Sequence, residues 1–136
     1  MLKALAHVCL SSTQLEATER FFCSTLGMKK KFSFIKGGKV FGFYLQVSDE
    51  NYIEVFAQEE IDTKAKLPIR HFCLEVSSID EIIGKLKADG FEASEKKRGN
   101  DKSWQCWTTD PSGIRIEFQE YTRESSQKTG ADCITG

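Results

Sequence analysis

Two stretches of this chain spell almost the same word at a fixed distance. His7-Val8-Cys9-Leu10 returns as His71-Phe72-Cys73-Leu74, 64 residues later. Glu54, inside Tyr52-Ile53-Glu54-Val55-Phe56, returns as Glu117 inside Arg115-Ile116-Glu117-Phe118-Gln119, 63 residues later. Gly27 and Gly90 are also 63 apart. Repeated words at a constant offset mean one supersecondary unit used twice, each copy helping to bury what the other cannot bury alone. The 136 residues suffice for two such units within the length of one ordinary domain. A chain of this size buries roughly two thirds of its unfolded surface, so neither disulfide nor metal is needed merely to fold.

The element order supports the duplication. In the second half, Ile69–Val76 alternates with Phe72, Leu74 and Val76 on one face, which reads as a strand. Ser78-Ile79-Asp80-Glu81 is a capping-box pattern. Ile79, Ile82, Ile83 and Leu86 follow at helical spacing, and Gly90 stands where the helix must stop. Three more strands are expected over Phe91–Lys97, Ser103–Thr109 and Ile114–Gln119, the last two joined by the turn Asp110-Pro111-Ser112-Gly113. The first half repeats this order. A strand over Leu5–Leu10 leads to a second capping-box pattern at Thr13–Glu16, then to a helix with Leu15, Thr18, Phe22 and Leu26 on one face, closed by Gly27. Strands over Lys29–Lys36 and Lys39–Val47 flank the hairpin signal Gly37-Gly38, and a fourth covers Asn51–Ala57. The reading is therefore an α+β fold of two βαβββ modules, residues 1–57 and 69–121. A polar linker at 58–68 joins them, and a mobile tail is expected at 122–136.

Composition excludes several partners. Nineteen basic and twenty acidic residues give a net charge of -1, which supplies no field for nucleic acid. No apolar run approaches the roughly 20 residues that span a bilayer. MLKALAHVCLSS, interrupted by His7, reads as too short for a signal peptide. Five cysteines without a Cys-x-x-Cys pair argue against a disulfide framework or a zinc ribbon, and the expected location is the cytoplasm.

The chemistry sits in the repeat. His7 and His71 are the only histidines, and they occupy equivalent positions. Glu54 and Glu117 are each set among apolar neighbours in the last strand of a module. A carboxylate there is costly if it faces a dry interior unpaired. Alternation places Glu54 with Tyr52 and Phe56, opposite Ile53 and Val55, and Glu117 with Arg115 and Gln119, opposite Ile116 and Phe118. Two imidazoles and two carboxylates suit a borderline divalent ion and leave two positions of a six-coordinate ion for a substrate's oxygens. Taken singly, each His is an ordinary strand residue and each Glu an ordinary solvent-facing one. The joint recurrence of both is what a solvated face leaves unexplained.

These words resemble those of the vicinal oxygen chelate superfamily, which is similar to this chain over about residues 1–121. The matching segments are His7-Val-Cys-Leu, Phe22–Met28 (FCSTLGM), Ile53-Glu54-Val55, His71-Phe-Cys-Leu-Glu-Val, and Asp110-Pro-Ser-Gly-Ile-Arg-Ile-Glu117. The resemblance implies paired βαβββ modules forming a curved, partly closed mixed sheet, the glyoxalase/bleomycin-resistance/dioxygenase fold. It implies one divalent metal ion per site, Zn or Ni foremost with Co, Mn or Fe as alternatives, held by His7, Glu54, His71 and Glu117. The His/Glu/His/Glu set looks most like glyoxalase I of the bacterial type, a lactoylglutathione lyase. There a ligand glutamate moves a proton between adjacent carbons of the methylglyoxal–glutathione hemithioacetal. Glu117 is then the principal catalytic base and Glu54 its counterpart. The family also implies a homodimer with shared sites, His7 and Glu54 of one chain meeting His71 and Glu117 of the other.

One position departs from that pattern: Ser11 stands where the family has an Arg that grips glutathione. Gln58 retains an amide where relatives carry Asn, and Lys97 and Arg98 are the cations available to bind an anionic substrate. Alternatives are another enzyme of the superfamily, an epimerase or fosfomycin-type thiol transferase, and a non-catalytic drug-binding protein like the bleomycin-resistance relatives. Cys9 and Cys73 are expected as small core fillers.

Overall fold

The computed structural model describes residues 1, 3–65 and 67–135. The chain divides into two compact units, Met1–Ala65 with Asp110–Ile114, and Lys66–Thr109 with Arg115–Gly136. In the first unit, strand β1 (His7–Ser12) runs parallel to β4 (Tyr52–Ala57). Strand β3 (Lys39–Gln46) lies antiparallel to β4, and β2 (Lys29–Lys36) antiparallel to β3, so the sheet order is β1-β4-β3-β2. Helix α1 (Leu15–Arg20) continues into a π-helical turn, Phe21–Thr25. The second unit repeats this as β5 (Phe72–Glu75), helix α2 (Ile79–Ala88), β6 (Lys97–Arg98), β7 (Trp104–Thr109) and β8 (Arg115–Glu120), in the order β5-β8-β7-β6. A short helix α3 (Ser126–Thr129) follows β8.

Each sheet has two unlike faces because side chains alternate along a strand. In the first, Leu10, Phe43, Leu45, Ile53 and Val55 are buried, as are Phe21 and Phe22. The opposite face carries His7, Cys9 and Ser11 of β1, Tyr52, Glu54 and Phe56 of β4, Gly42 and Tyr44 of β3, and Phe32 and Phe34 of β2. In the second, Ile116, Phe118 and Cys106 are buried along with Ile79 and Leu86 of α2. Glu117, Gln119 and Arg115 take the alternate positions, and Trp107 lies directly across from Glu117.

The hairpin glycines Gly37 and Gly38 adopt φ of 56° and 73°, as a two-residue turn between twisted strands requires. Gly42 has a different role. A Cβ there would stand 2.5 Å from the Val55 carbonyl oxygen and 2.6 Å from the Phe56 ring. Its absence lets that ring lie flat across β3, stacked at 5.8 Å on Phe41 and 4.7 Å from Phe34. Gly42→Ala is expected to lower stability by about 1–3 kcal/mol through overpacking, read as a lower denaturant midpoint. An unchanged midpoint would show that the ring moves aside freely.

The Asp110 turn is held internally. The Asp110 carboxylate accepts the backbone N–H groups of Ser112 and Ile114, both at 2.9 Å. Burial raises its pKa, and these N–H groups work against that rise. The Ser112 hydroxyl accepts the Thr13 N–H at 3.1 Å and donates to Ser12 at 3.2 Å, which groups the turn with the first unit.

Three local expectations change. The first capping box does not form: Gln14 is the N-cap without a side-chain bond, and the Thr13 N–H that Glu16 would accept in the box goes to Ser112 Oγ at 3.1 Å. The second does cap, with Ser78 Oγ accepting the Glu81 N–H at 3.2 Å. The strand expected over Phe91–Lys97 shrinks to Lys97–Arg98, since Trp107 takes its hydrogen bonds to Ser94 through a side chain as well as the backbone. Cys9 and Cys73 are exposed rather than core fillers, because they alternate onto the same faces as His7 and Glu117.

Candidate functional site: two equivalent histidine–glutamate pairs

Each unit brings its histidine and its strand glutamate together. His7 opens β1 and Glu54 lies on the parallel neighbour β4, two residues beyond the register partner of His7 and on the same face. Their Nε2 and Oε1 atoms are 3.5 Å apart. The other ring nitrogen, Nδ1, is 3.2 Å from the Tyr44 hydroxyl, and Tyr44 sits directly across from Glu54 on β3. In the second unit His71 immediately precedes β5, and its Nε2 is 3.3 Å from Glu117 Oε2. The His71 ring meets the edge of Trp107 at 4.7 Å. Glu117 is the more enclosed glutamate, with 11% of its side chain exposed against 19% for Glu54.

Both separations exceed the roughly 2.7–2.9 Å of a good charge-assisted hydrogen bond. The 3.3 Å separation falls within, and the 3.5 Å separation just beyond, the spacing of two donors on one ion: ligands about 2.1 Å from a metal at tetrahedral or octahedral angles lie about 3.0–3.4 Å apart. The donor chemistry therefore fits a divalent ion, two donors from each pair. Among the described residues no group of three or more His, Cys, Asp or Glu is gathered to hold a metal.

Cysteines accompany both pairs without joining the donor set. Cys9 lies across from Glu54 and Cys73 across from Glu117. Desolvation and the Glu117 carboxylate push the Cys73 thiol up to about 12, so it is protonated at neutral pH. Desolvation and Glu54 raise Cys9 in the same direction.

The remaining residues named from sequence are placed differently. Gln58 follows β4 and is exposed, its backbone N–H donating to the Ser12 carbonyl at 2.8 Å. Lys97 pairs with Gln105, whose partner is Gln119, and so shares the face of Glu117. Arg98 pairs with Trp104 on the opposite face, and its guanidinium donates to Glu124 at 3.1 Å. Tyr44, Trp107 and Arg115 were not counted among the site residues from sequence. The Arg115 guanidinium lies 4.1 Å over the Trp107 ring, and both line a groove of about 630 Å³ with Lys87, Phe91 and Glu92. Gln119 was also missed. Its amide N–H donates to Glu117 Oε1 at 3.1 Å and reaches Asp101 Oδ2 at 3.5 Å. For Asp101, burial acts upward but hydrogen bonds from Gln127 and Ser103 outweigh it and hold the carboxyl below its usual range.

Comparison with known proteins agrees with this layout. The family model for the Glyoxalase/Bleomycin resistance protein/Dioxygenase superfamily matches residues 4–118. Among curated proteins, none matches significantly. Similar solved structures include a glyoxalase family protein from Enterococcus faecalis, 22% identical, covering 87% of this chain and 98% of that one at a TM-score of 0.73. A lactoylglutathione lyase from Agrobacterium tumefaciens is 19% identical, covering 88% and 94%, TM-score 0.65. A fosfomycin resistance protein, FosX, from Listeria monocytogenes is 18% identical, covering 91% and 98%, TM-score 0.72. At these identities the likeness is one of fold. The two βαβββ modules expected from sequence are those of this fold.

Proposed function

This chain belongs to the glyoxalase/bleomycin resistance protein/dioxygenase superfamily, and from that premise we propose that it is a metal-dependent lyase or isomerase of the glyoxalase I kind. Its substrate is a small molecule that presents two adjacent oxygens, with the methylglyoxal–glutathione hemithioacetal as the first candidate. The observation that carries the reading is the repetition of one His–Glu pair, at 3.5 Å in one unit and 3.3 Å in the other. His7, Glu54, His71 and Glu117 are the residues that would hold the ion, Zn or Ni by donor type. Each pair supplies two donors; proteins of this fold often form dimers, and a homodimer in which His7 and Glu54 of one copy join His71 and Glu117 of the other is the proposed assembly.

When bound, the metal supplies Lewis acidity toward the substrate's oxygens. The chain's residues do the rest. Glu117, largely withdrawn from water, takes a proton from the carbon next to the carbonyl and returns it to the neighbouring carbon. Glu54 faces the same substrate from the other pair. Arg115, 4.1 Å over the Trp107 ring, and Lys87 line the same groove and offer charge to an anionic arm. They support an anionic substrate even though Ser11 replaces the family's arginine and Arg98 is engaged by Glu124.

One observation favours a second reading, a non-catalytic protein that sequesters an aromatic drug. The face of His7 and Glu54 also carries Phe32, Tyr44 and Tyr52, with Phe32 and Tyr44 stacked at 4.8 Å and Tyr44 and Tyr52 at 5.1 Å. Zinc- or nickel-loaded protein mixed with methylglyoxal and glutathione separates the two. Thioester formation that disappears on chelation and returns with metal supports the lyase. A metal-loaded protein that binds aromatic ligands and turns over neither the hemithioacetal nor related diketone adducts overturns it.

A further inference from the structure

The stretch after β8 reads from sequence as a featureless polar tail, yet over residues 122–129 it is wired to Glu117. Ser125 is fully buried, its hydroxyl accepting the Thr122 N–H at 2.8 Å, and the Ser126 N–H donates to the Asp101 carbonyl at 2.8 Å. This seats Gln127 of α3 so that its amide N–H donates to Asp101 Oδ2 at 2.7 Å and reaches Gln119 Oε1 at 3.4 Å. Gln119 is thereby left one orientation. Its oxygen faces the Gln127 donor and its NH2 faces the two acidic oxygens, Asp101 Oδ2 and Glu117 Oε1. Flipping that amide would set its oxygen against both carboxylates and its NH2 against another NH2. Glu117 then has Oε1 engaged by Gln119 and Oε2 turned to His71 at 3.3 Å.

We infer that Gln119 is a positioning residue that presents one oxygen of Glu117 beside His71, and that the C-terminal segment, through Gln127 and Asp101, is what orients Gln119. The inference rests on the reading of Glu117 as a metal ligand. Residues 122–129 are accordingly part of the site. Partners of this kind fix the direction of a ligand carboxylate, and losing one costs about 10–100-fold in metal affinity or activity.

The test uses full-length protein and zinc, with affinity read by competition against a chromophoric chelator and folding read by thermal unfolding. Gln119→Met keeps length and removes the donor. Gln127→Ala removes the segment's grip and leaves Gln119 in place. Glu124→Ala is the control: it breaks the tail's ion pair to Arg98, 3.1 Å, without touching the Gln119 network. Gln119→Met is expected to weaken zinc binding by at least tenfold with little change in melting temperature. Gln127→Ala weakens it by a smaller factor, Glu124→Ala leaves it unchanged, and the double variant is no worse than Gln119→Met alone. Wild-type affinity in Gln119→Met overturns the inference while leaving the metal site standing. So does an additive double variant, because Gln127 would then act by another route. If the wild-type protein takes up no zinc at all, the metal reading fails and the inference falls with it.

Discussion

Glu117→Gln is expected to lower turnover of the hemithioacetal by roughly a hundredfold or more, the usual scale for loss of a general base. The substitution keeps the side chain's shape and one oxygen donor but removes the basic carboxylate. Glu117 is the buried member of the two glutamates and has both oxygens engaged, by Gln119 at 3.1 Å and by His71 at 3.3 Å. Water cannot readily stand in for it. Glu54→Gln should be the milder change, since Glu54 is more exposed and accepts no amide donor comparable to Gln119 among the described residues. The comparison is made at equal metal occupancy. Full activity in metal-loaded Glu117→Gln would assign the base to Glu54.

The second large effect concerns metal-linked stability. An ion that binds only the folded state stabilises it by about 2.7 kcal/mol at a concentration one hundred times its dissociation constant. Wild-type protein should therefore melt higher as zinc is added, and His71→Ala and His7→Ala should lose most of that response. Each removes an imidazole that stands 3.3 or 3.5 Å from its glutamate and leaves a lone carboxylate, a poor holder of a borderline ion. His71→Ala also removes the edge contact to Trp107, so a small loss of stability without zinc is expected on top. A zinc-dependent rise equal to wild type in both variants would place the ion elsewhere.

The parts of this architecture that were legible from sequence are those written as period or repetition. Alternation placed Glu54 opposite Ile53 and Val55 and Glu117 opposite Ile116 and Phe118, and the burial of those four apolar residues agrees. The glycines that end the helices, Gly27 and Gly90, adopt φ of 77° and 82°, where an L side chain is strained. The repeat offset picked out both His–Glu pairs, because a pair spaced alike in two copies is a sheet neighbour in both. What stayed hidden depends on competition between partners. Ser112 rather than Glu16 accepts the Thr13 N–H, which no local pattern reveals. The face taken by Arg98 follows from a two-residue strand whose pairing with Trp104 is set by register alone. Gln127 reaches Asp101 across 26 residues, and nothing periodic announces such a bond. The contact of Trp107 with His71 depends on the position of a residue lying just outside its strand.

The central claim is that two half-sites from two copies make one metal centre. Sedimentation equilibrium on protein purified without chelator, with metal analysis of the same sample, tests it most directly. The account predicts a dimer that carries one divalent ion per chain, two per dimer, and that weakens as an assembly when the metal is stripped. A monomer at micromolar concentration with full metal content, or a dimer that takes up no divalent ion, would contradict it.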